Sequence, residues 1–328
     1  MTSPRDQALE AMILADPDEP ASYLVYADAL QAAGDPRGEL IALQAARATE
    51  RESRELQAAE VALLEAHRET LGVANIEHCD ADWFCGFWRG LYLGAADMSA
   101  EPALDDVAAR LLASPSAKFL RALSCVGPFA PRVLELAAPR AATLRALDVL
   151  LLPHVTFTAE TLRALAPLTQ LRRLALRPCS AVSDDGFAVL GGLRALEVLE
   201  LCECALSDAL MCAIGHLPLN DVTLTGWLGD ITADGMRALA AAPLRRFHLG
   251  NEGIDDALIA PLAGHPTLSN LTIFGAHLTA TGLAALGSVP QLRRLRLGSC
   301  RFLEPDFAPL APLTDRLVSF DEIGRAHV

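Results

Sequence analysis

Apolar side chains recur along this chain in a fixed ladder, with leucine or a similar residue at its first, fourth and sixth positions and polar or small residues between them. The fullest copy runs from Leu196 through Leu199 and Leu201 to Cys204 and Leu206. The fourth ladder position recurs every 23 to 27 residues. Its occupants are Leu123, Leu147, Leu174, Leu199, Val222, Phe247, Leu271, Leu295 and Phe320. A period of this length indicates an array of stacked units, each too small to bury its own apolar side.

Each copy of the ladder predicts a short strand followed by a helix. Side chains alternate along a strand, so the apolar positions point into the protein and the positions between them point outward. A residue able to cap a helix N-terminus follows most ladders. These residues are Thr158, Ser183, Ser207, Thr232, Asp255 and Thr279. Each predicted helix then turns an apolar pair inward: Leu162 with Leu165, Phe187 with Leu190, Met236 with Leu239, and Leu283 with Leu286.

The ladder from Leu196 to Leu206 resembles the leucine-rich-repeat consensus, which has leucine at these positions and Asn or Cys at the ninth. The resemblance implies an α/β solenoid, a horseshoe with parallel strands on its concave face and helices on its convex face. We expect about nine repeats and a C-terminal cap over residues 76–328. A degenerate first copy stands at Trp88, Leu91 and Leu93.

Cysteine occupies the ninth ladder position three times, at Cys179, Cys204 and Cys300. A small side chain is needed there to fill the turn beneath the strand, and a thiol can make a weak bond to the backbone. We therefore interpret these cysteines as structural.

The N-terminal segment has a different pattern. Residues 6–15 and 20–33 predict two short amphipathic helices, Gly34 and Pro36 break them from a third helix that begins near Glu39, and Pro36 fixes the turn. The runs that carry a family likeness are Ala15–Asp18, Leu24–Asp28 and Gly34–Ile41, together with Gln44. They resemble the repeat-companion domain found at the N-terminus of bacterial repeat proteins, with a departure at Ala29, where that family usually has Trp. The resemblance covers residues 6–46, implies no known activity, and gives a helical domain over 1–46.

Residues 39–71 contain no Gly or Pro, so the sequence predicts continuous helix there. The centre, Arg47 to Gln57, is highly charged, which predicts either a solvated helix or a junction between two helices. We interpret residues 47–75 as a helical connector that shields the first repeat. A partner-binding coiled coil is the alternative, although the heptads are few.

An aromatic cluster over residues 83–93 includes Trp83 and Trp88 and begins the repeats. Because a repeat array exposes apolar surface at its ends, we expect this cluster to pack beneath the N-terminal helices as a cap. An exposed aromatic binding patch is the alternative. His78, Cys79 and Cys85 suggest a nucleophile pair or metal ligands, but we assign them to the same capping segment.

Composition narrows the class of protein. The chain is 52% hydrophobic and only 5% aromatic, which indicates an aliphatic core. Arginine replaces lysine everywhere except at Lys118, a bias typical of a high-GC bacterial genome. The formal charge of −14 argues against a nucleic-acid partner, since phosphate binding needs a basic field. Residues 1–71 carry 14 carboxylates and 6 arginines, a balance of −8.

Targeting signals are missing from the sequence. The first thirty residues include several acids and no apolar core of a signal peptide. No run approaches the ~18 apolar residues of a membrane helix. Eight cysteines without a secretory signal suggest a reducing compartment. We predict a cytoplasmic protein without a membrane partner, monomeric on its own.

Catalytic signatures are also missing, and we predict no enzyme, no cofactor and no metal. Cys202, Cys204, Cys212 and His216 have a spacing suggestive of zinc. However, the ninth-position Cys204 points into the turn, Cys202 outward, and Cys212 lies on a helix, so the four side chains diverge.

The outward positions of the later ladders form the expected concave face. We predict that it binds a partner through Arg173, Arg177, Glu200, Thr223, Arg246, His248, Asn270, Thr272, Phe274, Arg294 and Arg296. Five arginines on one face of an acidic chain favour carboxylate ligands, because the guanidinium fork matches a carboxylate, and Arg with aromatic residues is enriched at interaction hot spots.

The sequence thus predicts a non-enzymatic scaffold that binds an unidentified protein or peptide, possibly an acidic one. Three alternatives stay open. The arginines can simply be the solvated face of a protein that uses arginine as its default polar residue. They can bind RNA or another polyanion. The chain can also be the substrate-recognition part of a bacterial effector or ligase that uses a cysteine nucleophile, although no catalytic domain remains once the repeats are subtracted.

Overall fold

The computed structural model describes residues 4–50, 52–72, 79–94, 103–127, 130–150, 157–180, 182–228, 231–302 and 307–323. Two compact units divide the chain, Met1–Leu147 and Asp148–Val328. Within the described ranges, every helix is too short or too polar to cross a lipid bilayer.

Helices form the start of the first unit: α1 (Pro4–Ala15), α2 (Pro20–Ala32), α3 (Arg37–Thr49), α4 (Arg54–Ala66) and α5 (Arg68–Leu71). The first three confirm the predicted helices. Of the two alternatives for Arg47 to Gln57, the structure confirms the junction, because α3 ends at Thr49 and α4 begins only after Ser53. The helix over residues 39–71 is therefore not continuous. The Ser53 hydroxyl accepts a hydrogen bond from the Leu56 amide at 3.3 Å and so starts a new helix.

An antiparallel hairpin follows the helices. It pairs β1 (Cys79–Phe84) with β2 (Phe87–Gly94), a feature that the repeat pattern did not predict. In turn, β2 pairs in parallel with β3 (Ala122–Val126), placing Leu91 opposite Leu123. That register confirms the degenerate first copy of the ladder.

The remaining elements of the first unit complete two early repeats. They are α6 (Ala103–Ala113), a 3-10 turn (Pro115–Ala117), α7 (Ala130–Ala137), a second 3-10 turn (Ala138–Arg140) and the start of β4 (Ala146–Leu150).

A parallel sheet forms the core of the second unit. Its strands are, in spatial order, β5 (Arg173–Arg177), β6 (Val198–Leu206), β7 (Asp221–Leu228), β8 (Arg246–Gly250), β9 (Asn270–Phe274), β11 (Arg294–Gly298) and β13 (Ser319–Ile323). The two short strands β10 (His277–Leu278) and β12 (Arg301–Phe302) pair separately. The fourth ladder positions from Leu174 to Phe320 lie opposite one another in unbroken register. The sequence period therefore specified the pairing of every strand in this sheet.

Short helices connect the strands of the second unit. They are α8 (Ala159–Arg163), α9 (Asp184–Phe187) with a 3-10 turn (Ala188–Gly192), α10 (Asp208–Ile214), α11 (Ala233–Leu239), α12 (Asp256–Ile259) with a 3-10 turn (Ala260–Leu262), α13 (Ala280–Gly287) and a final 3-10 helix (Ala308–Leu313). A repeat of about 24 residues must also supply a strand and two turns, which leaves room for one or two helical turns.

Helix N-caps lie where the sequence placed them. The side chains of Thr158, Ser207, Thr232, Asp255 and Thr279 all accept a hydrogen bond from a first-turn amide. Ser183 occupies the N-cap position of α9 but makes no such bond, so the prediction of a capping bond was wrong there.

The inward ladder and helix positions form one dry aliphatic core in the second unit. The inward pairs of α8, α9, α11 and α13 are at most 1% exposed. At about 1.5–3 kcal/mol for each buried aliphatic side chain, before the entropy of ordering is subtracted, stacking is the main source of stability.

The ninth-position cysteines are buried, as predicted, and each thiol points to a backbone carbonyl. Cys179 Sγ lies 3.4 Å from the carbonyl oxygen of Leu176, and Cys204 Sγ lies 3.7 Å from that of Thr225. Cys300 Sγ lies 3.4 Å from the carbonyl oxygen of Gly298. Burial raises the pKa of Cys204 to about 12, so this thiol stays protonated.

Candidate binding face

One side of the parallel sheet carries the residues that the sequence singled out. We call this side the strand face and define it by the outward side chains of β5, β6, β7, β8, β9 and β11. It holds Arg173, Arg177, Glu200, Thr223, Arg246, His248, Asn270, Thr272, Phe274, Arg294 and Arg296. All of them are half-buried or exposed, whereas the ladder residues between them are buried. This alternation is the expected result of burying only one side of a strand.

Part of the strand face is already neutralised by its own carboxylates. Arg177 Nη2 donates to both carboxylate oxygens of Asp148, at 2.9 and 3.1 Å, and its Nε lies 3.5 Å from Glu200. Arg173 Nη2 lies 3.7 Å from the other oxygen of Glu200. The predicted pair Arg173 and Arg177 therefore belongs to a network with balanced charge, which weakens its attraction for an acidic ligand.

Arg246 is neutralised in the same way. Its Nε and Nη2 both donate to Asp221 Oδ2, at 2.9 and 2.6 Å. Asp221 and Arg246 face each other because both occupy the third ladder position of consecutive copies. The sequence therefore contained the signal for this ion pair, in the alignment of the two ladders.

Arg294 and Arg296 differ from the other arginines of the strand face. Both are exposed, and neither has a carboxylate within 4.0 Å among the side chains that the structure describes. Asp321 of β13 lies opposite Arg296 in the strand register, and its side chain is outside the described part of the chain. Among the side chains that the structure describes, the arginines of the strand face without a carboxylate partner thus lie on β11.

An aromatic cluster adjoins Arg296. The ring of Phe274 lies 5.5 Å from that of His248, and the Arg296 guanidinium lies 5.4 Å from the centre of the Phe274 ring. Gly298 makes room for this arrangement, because a Cβ there would lie 2.1 Å from Phe274 Cε1. The cluster offers an apolar surface bordered by guanidinium groups, a combination suited to a hot spot.

The pKa of His248 is lowered, first by burial and then by the positive charge of Arg296, while Glu200 opposes the shift. The imidazole is therefore neutral near pH 7 and adds no charge to the strand face. Its role there is that of an aromatic and hydrogen-bonding group.

The other predicted residues form a polar strip beside the cluster. Thr223, His248 and Thr272 lie in register across β7, β8 and β9, and Asn270 lies opposite Arg246. All four of the non-arginine side chains are half-buried. They offer hydroxyl, amide and imidazole groups to a ligand.

The zinc-like spacing does not bring its members together as ligands. Cys204 is buried in the turn, Cys202 is half-buried on the strand face and Cys212 is exposed on α10. His216 Nε2 lies 3.1 Å from the carbonyl oxygen of Gly191. Within the described ranges, no group of three or more His, Cys, Asp or Glu side chains has the geometry of a metal site.

A repeated strand–turn–helix unit, a parallel sheet in ladder register and a small buried residue at the ninth position are now established. The fold is that of a leucine-rich-repeat protein. Among solved structures, an internalin (inlF) from Listeria monocytogenes is similar at 17% identity and a TM-score of 0.45, over 62% of this chain and 54% of that one. Internalin C2 (inlC2) from the same species is similar at 16% identity and a TM-score of 0.37, over 58% of this chain and 73% of that one. The chain thus spans about half the length of the first of these.

Sequence comparisons add no closer relative. No family model matches the chain, and no curated protein matches it.

Proposed function

We propose that this protein is a non-enzymatic scaffold that binds a protein or peptide partner on the strand face. Leucine-rich-repeat proteins generally recognise protein ligands, which supports the class of function by analogy of fold. The analogy says nothing about the identity of the partner. A second argument comes from this chain itself. The parallel sheet holds the side chains of the strand face outward in a regular array, where a partner can contact them.

The observation that carries the proposal is the asymmetry of charge on the strand face. Three of its arginines are balanced by Asp148, Glu200 and Asp221, while Arg294 and Arg296 are exposed and Arg296 lies over the ring of Phe274. A partner that presents carboxylates next to an apolar side chain would match this end of the face. The most sensitive contacts should therefore lie on β9 and β11 and not at Arg173 and Arg177.

Reversing the charge on β11 tests the proposal. The wild-type chain is first used with a photo-crosslinker at position 272 to identify the partner in an extract, and affinity is then measured by calorimetry. Arg294→Glu plus Arg296→Glu should weaken binding about 100-fold or more, because hot-spot arginines each contribute about 2 kcal/mol or more. The melting temperature should move by no more than about 2 °C, since the substitutions are exposed.

A control variant makes the same charge change on another part of the surface. Arg163→Glu plus Arg194→Glu alters two exposed arginines outside the strand face and should leave affinity within about two-fold. Equal affinity for the β11 variant and the wild type would remove the arginine face from the proposal. Equal losses in both double variants would show a general charge effect instead.

Polyanion binding is the second candidate, favoured by the same two exposed arginines. Heparin or RNA should then bind, and the logarithm of the binding constant should fall steeply and linearly with the logarithm of the salt concentration. A shallow slope, together with loss of one specific partner on charge reversal, supports a protein ligand. The cytoplasmic location and the monomeric state stay predictions.

A further inference from the structure

The N-terminal helices contact the β1–β2 hairpin through a short stretch of the chain, residues 35–44, as well as through apolar packing. This stretch contains Asp35 to Ile41 and Gln44, which belong to the residues singled out above for their resemblance to a known module. The hairpin turn consists of Cys85 and Gly86. The 35–44 stretch and the hairpin turn both belong to the first unit. The contacts between them are defined atom by atom.

Gly86 lies directly against the backbone of α3. Its φ of +76° is a left-handed conformation that favours glycine. A Cβ at this position would also lie 2.6 Å from Ile41 Cγ1 and 2.9 Å from the carbonyl oxygen of Arg37. The turn therefore requires glycine for two independent reasons, one of which is the approach of α3.

Gln44 fixes the same turn by hydrogen bonds. Its side-chain oxygen accepts from the Gly86 amide at 2.8 Å, and its side-chain nitrogen donates to Glu60 at 2.8 Å. Glu60 is buried and also pairs with Arg47. One amide side chain thus links α3, α4 and the hairpin, and its two partners leave it a single orientation.

Arg37 anchors the other end of the stretch. Asp35 accepts hydrogen bonds from both the backbone amide and the guanidinium of Arg37, at 3.0 and 2.5 Å. The Arg37 guanidinium also donates to Ser116 Oγ at 3.3 Å, and Ser116 Oγ donates to the carbonyl oxygen of Leu71 at 2.8 Å. Because the Arg37 side chain is only 8% exposed, these bonds are shielded from water. Arg37, Ile41 and Gln44 are spaced to lie on one face of α3.

The hairpin that contacts this surface does so with particular side chains. Cys85 and Phe87 lie in the same buried cluster as Ile41, Tyr23 and Tyr26. The Tyr26 and Phe87 rings are stacked with centroids 6.1 Å apart. A hairpin that fits must therefore combine a small buried residue, a left-handed glycine and an aromatic residue after the turn.

Two ion pairs surround this contact. Arg121, which precedes β3, pairs with Asp18, and Lys118 pairs with Glu10. Arg121 Nη2 also donates to the Tyr23 hydroxyl at 3.3 Å. Carboxylates of the helices thus pair with basic side chains of the first full repeat. Such pairing favours a specific contact over nonspecific apolar packing.

We propose that residues 35–44 form a docking site for the Cys85–Gly86 turn, so that the N-terminal helices recognise the start of the repeat array through this hairpin. The site recognises a hairpin with an aromatic residue after a left-handed glycine, and it does so through backbone approach and hydrogen bonds. The inference is independent of the strand face and of whatever binds there.

Cleaving the chain after α3, which carries the docking site, separates that site from the hairpin and tests the proposal. A specific protease sequence replaces residues 51 and 52 of the full-length protein, between α3 and α4. After cleavage, residues 1–50 of the otherwise wild-type protein should co-elute with the remainder in gel filtration at micromolar concentration. Gln44→Leu should raise the dissociation constant about ten-fold, because it leaves a buried amide of the turn without its acceptor.

Gln57→Leu is the matched control, since Gln57 is exposed on α4. It should leave the dissociation constant within about two-fold. Hydrogen exchange of the uncleaved chains gives a second readout, in which the Gly86 amide exchanges about ten-fold faster in Gln44→Leu than in Gln57→Leu. Separation of the two pieces in the otherwise wild-type protein would overturn the proposal, and so would equal behaviour of the two leucine variants.

Discussion

Asp208 connects two successive repeats and gives a sharp test of how the array is held together. Its Oδ1 accepts the Thr232 amide at 2.7 Å, and its Oδ2 accepts the Thr232 hydroxyl at 2.7 Å. Gly235 is required beside it, because a Cβ there would lie 2.0 Å from Asp208 Oδ1. Asp256 makes the same two bonds to Thr279 two periods later in the chain.

Asp208→Asn should destabilise this junction by about 1 kcal/mol. Hydrogen bonds to a charged acceptor contribute about 1.5–3 kcal/mol where they are buried. Asp208 is only partly buried and the Thr232 groups can return to water, so the bonds contribute well below that range here. The substitution also removes a negative charge from the first turn of α10, which costs about 0.3–1 kcal/mol.

The loss should depend on pH in a defined direction. Hydrogen bonding from the Thr232 amide is the main cause that lowers the pKa of Asp208, with burial opposing it and the Thr232 hydroxyl and the Gly235 amide adding to it. A carboxyl group whose folded pKa lies below its unfolded value of about 3.9 stabilises the fold above that pH. This stabilisation is lost as the pH falls through the folded pKa. The difference between wild type and Asp208→Asn should be constant from about pH 8 to pH 5 and shrink towards pH 3.

Native-state hydrogen exchange of the Thr232 amide is the appropriate measurement, because repeat arrays do not always unfold in two states. Asp234→Asn is the control, since Asp234 is exposed and pairs only with the exposed Arg237. It should cost less than about 0.5 kcal/mol. A difference between wild type and Asp208→Asn that stays the same at pH 3 would refute the assignment of these bonds to an ionised carboxylate.

Two further predictions concern the core. Leu199→Asp should split or unfold the array, since Leu199 is fully buried and an unpaired charge there has no partner. Leu199→Ala should cost only about 2–5 kcal/mol, and circular dichroism with denaturant distinguishes the two. Burial raises the pKa of Cys179 and of Cys204, the latter to about 12, so neither should react with iodoacetamide at pH 8 in the native state. The exposed Cys212 should react readily, and mass spectrometry showing equal labelling of all three would contradict the buried positions.

Long-range polar contacts were the main feature that sequence reasoning left out. The period placed Arg177 and Asp148 on the same side of the sheet, yet only their spatial separation shows that they form an ion pair. Such pairs depend on side-chain rotamers, which the ladder does not encode. The consequence for function is large, because three of the five arginines on the strand face are paired with carboxylates. Of these five, only the two arginines of β11 have no such partner among the described side chains.

The exact position of the break at Ser53 and the β1–β2 hairpin were missed for a related reason. Both lie where the repeat pattern stops and local signals compete. Ser53 is a good N-cap residue, but without Gly or Pro nearby its sequence context did not exclude continuous helix. The turn at Gly86 depends on α3, more than forty residues earlier in the chain, and no local window contains that contact.

The sequence by itself determined the repeated unit, the strand register and the side to which each ladder residue points. These follow from periodicity, because each unit can bury its apolar side only against the next. Tertiary structure alone decided which charges on the strand face are neutralised and how the N-terminal helices join the hairpin. Those outcomes depend on distances of a few ångströms between residues far apart in the chain, and hydrophobic period does not specify such distances.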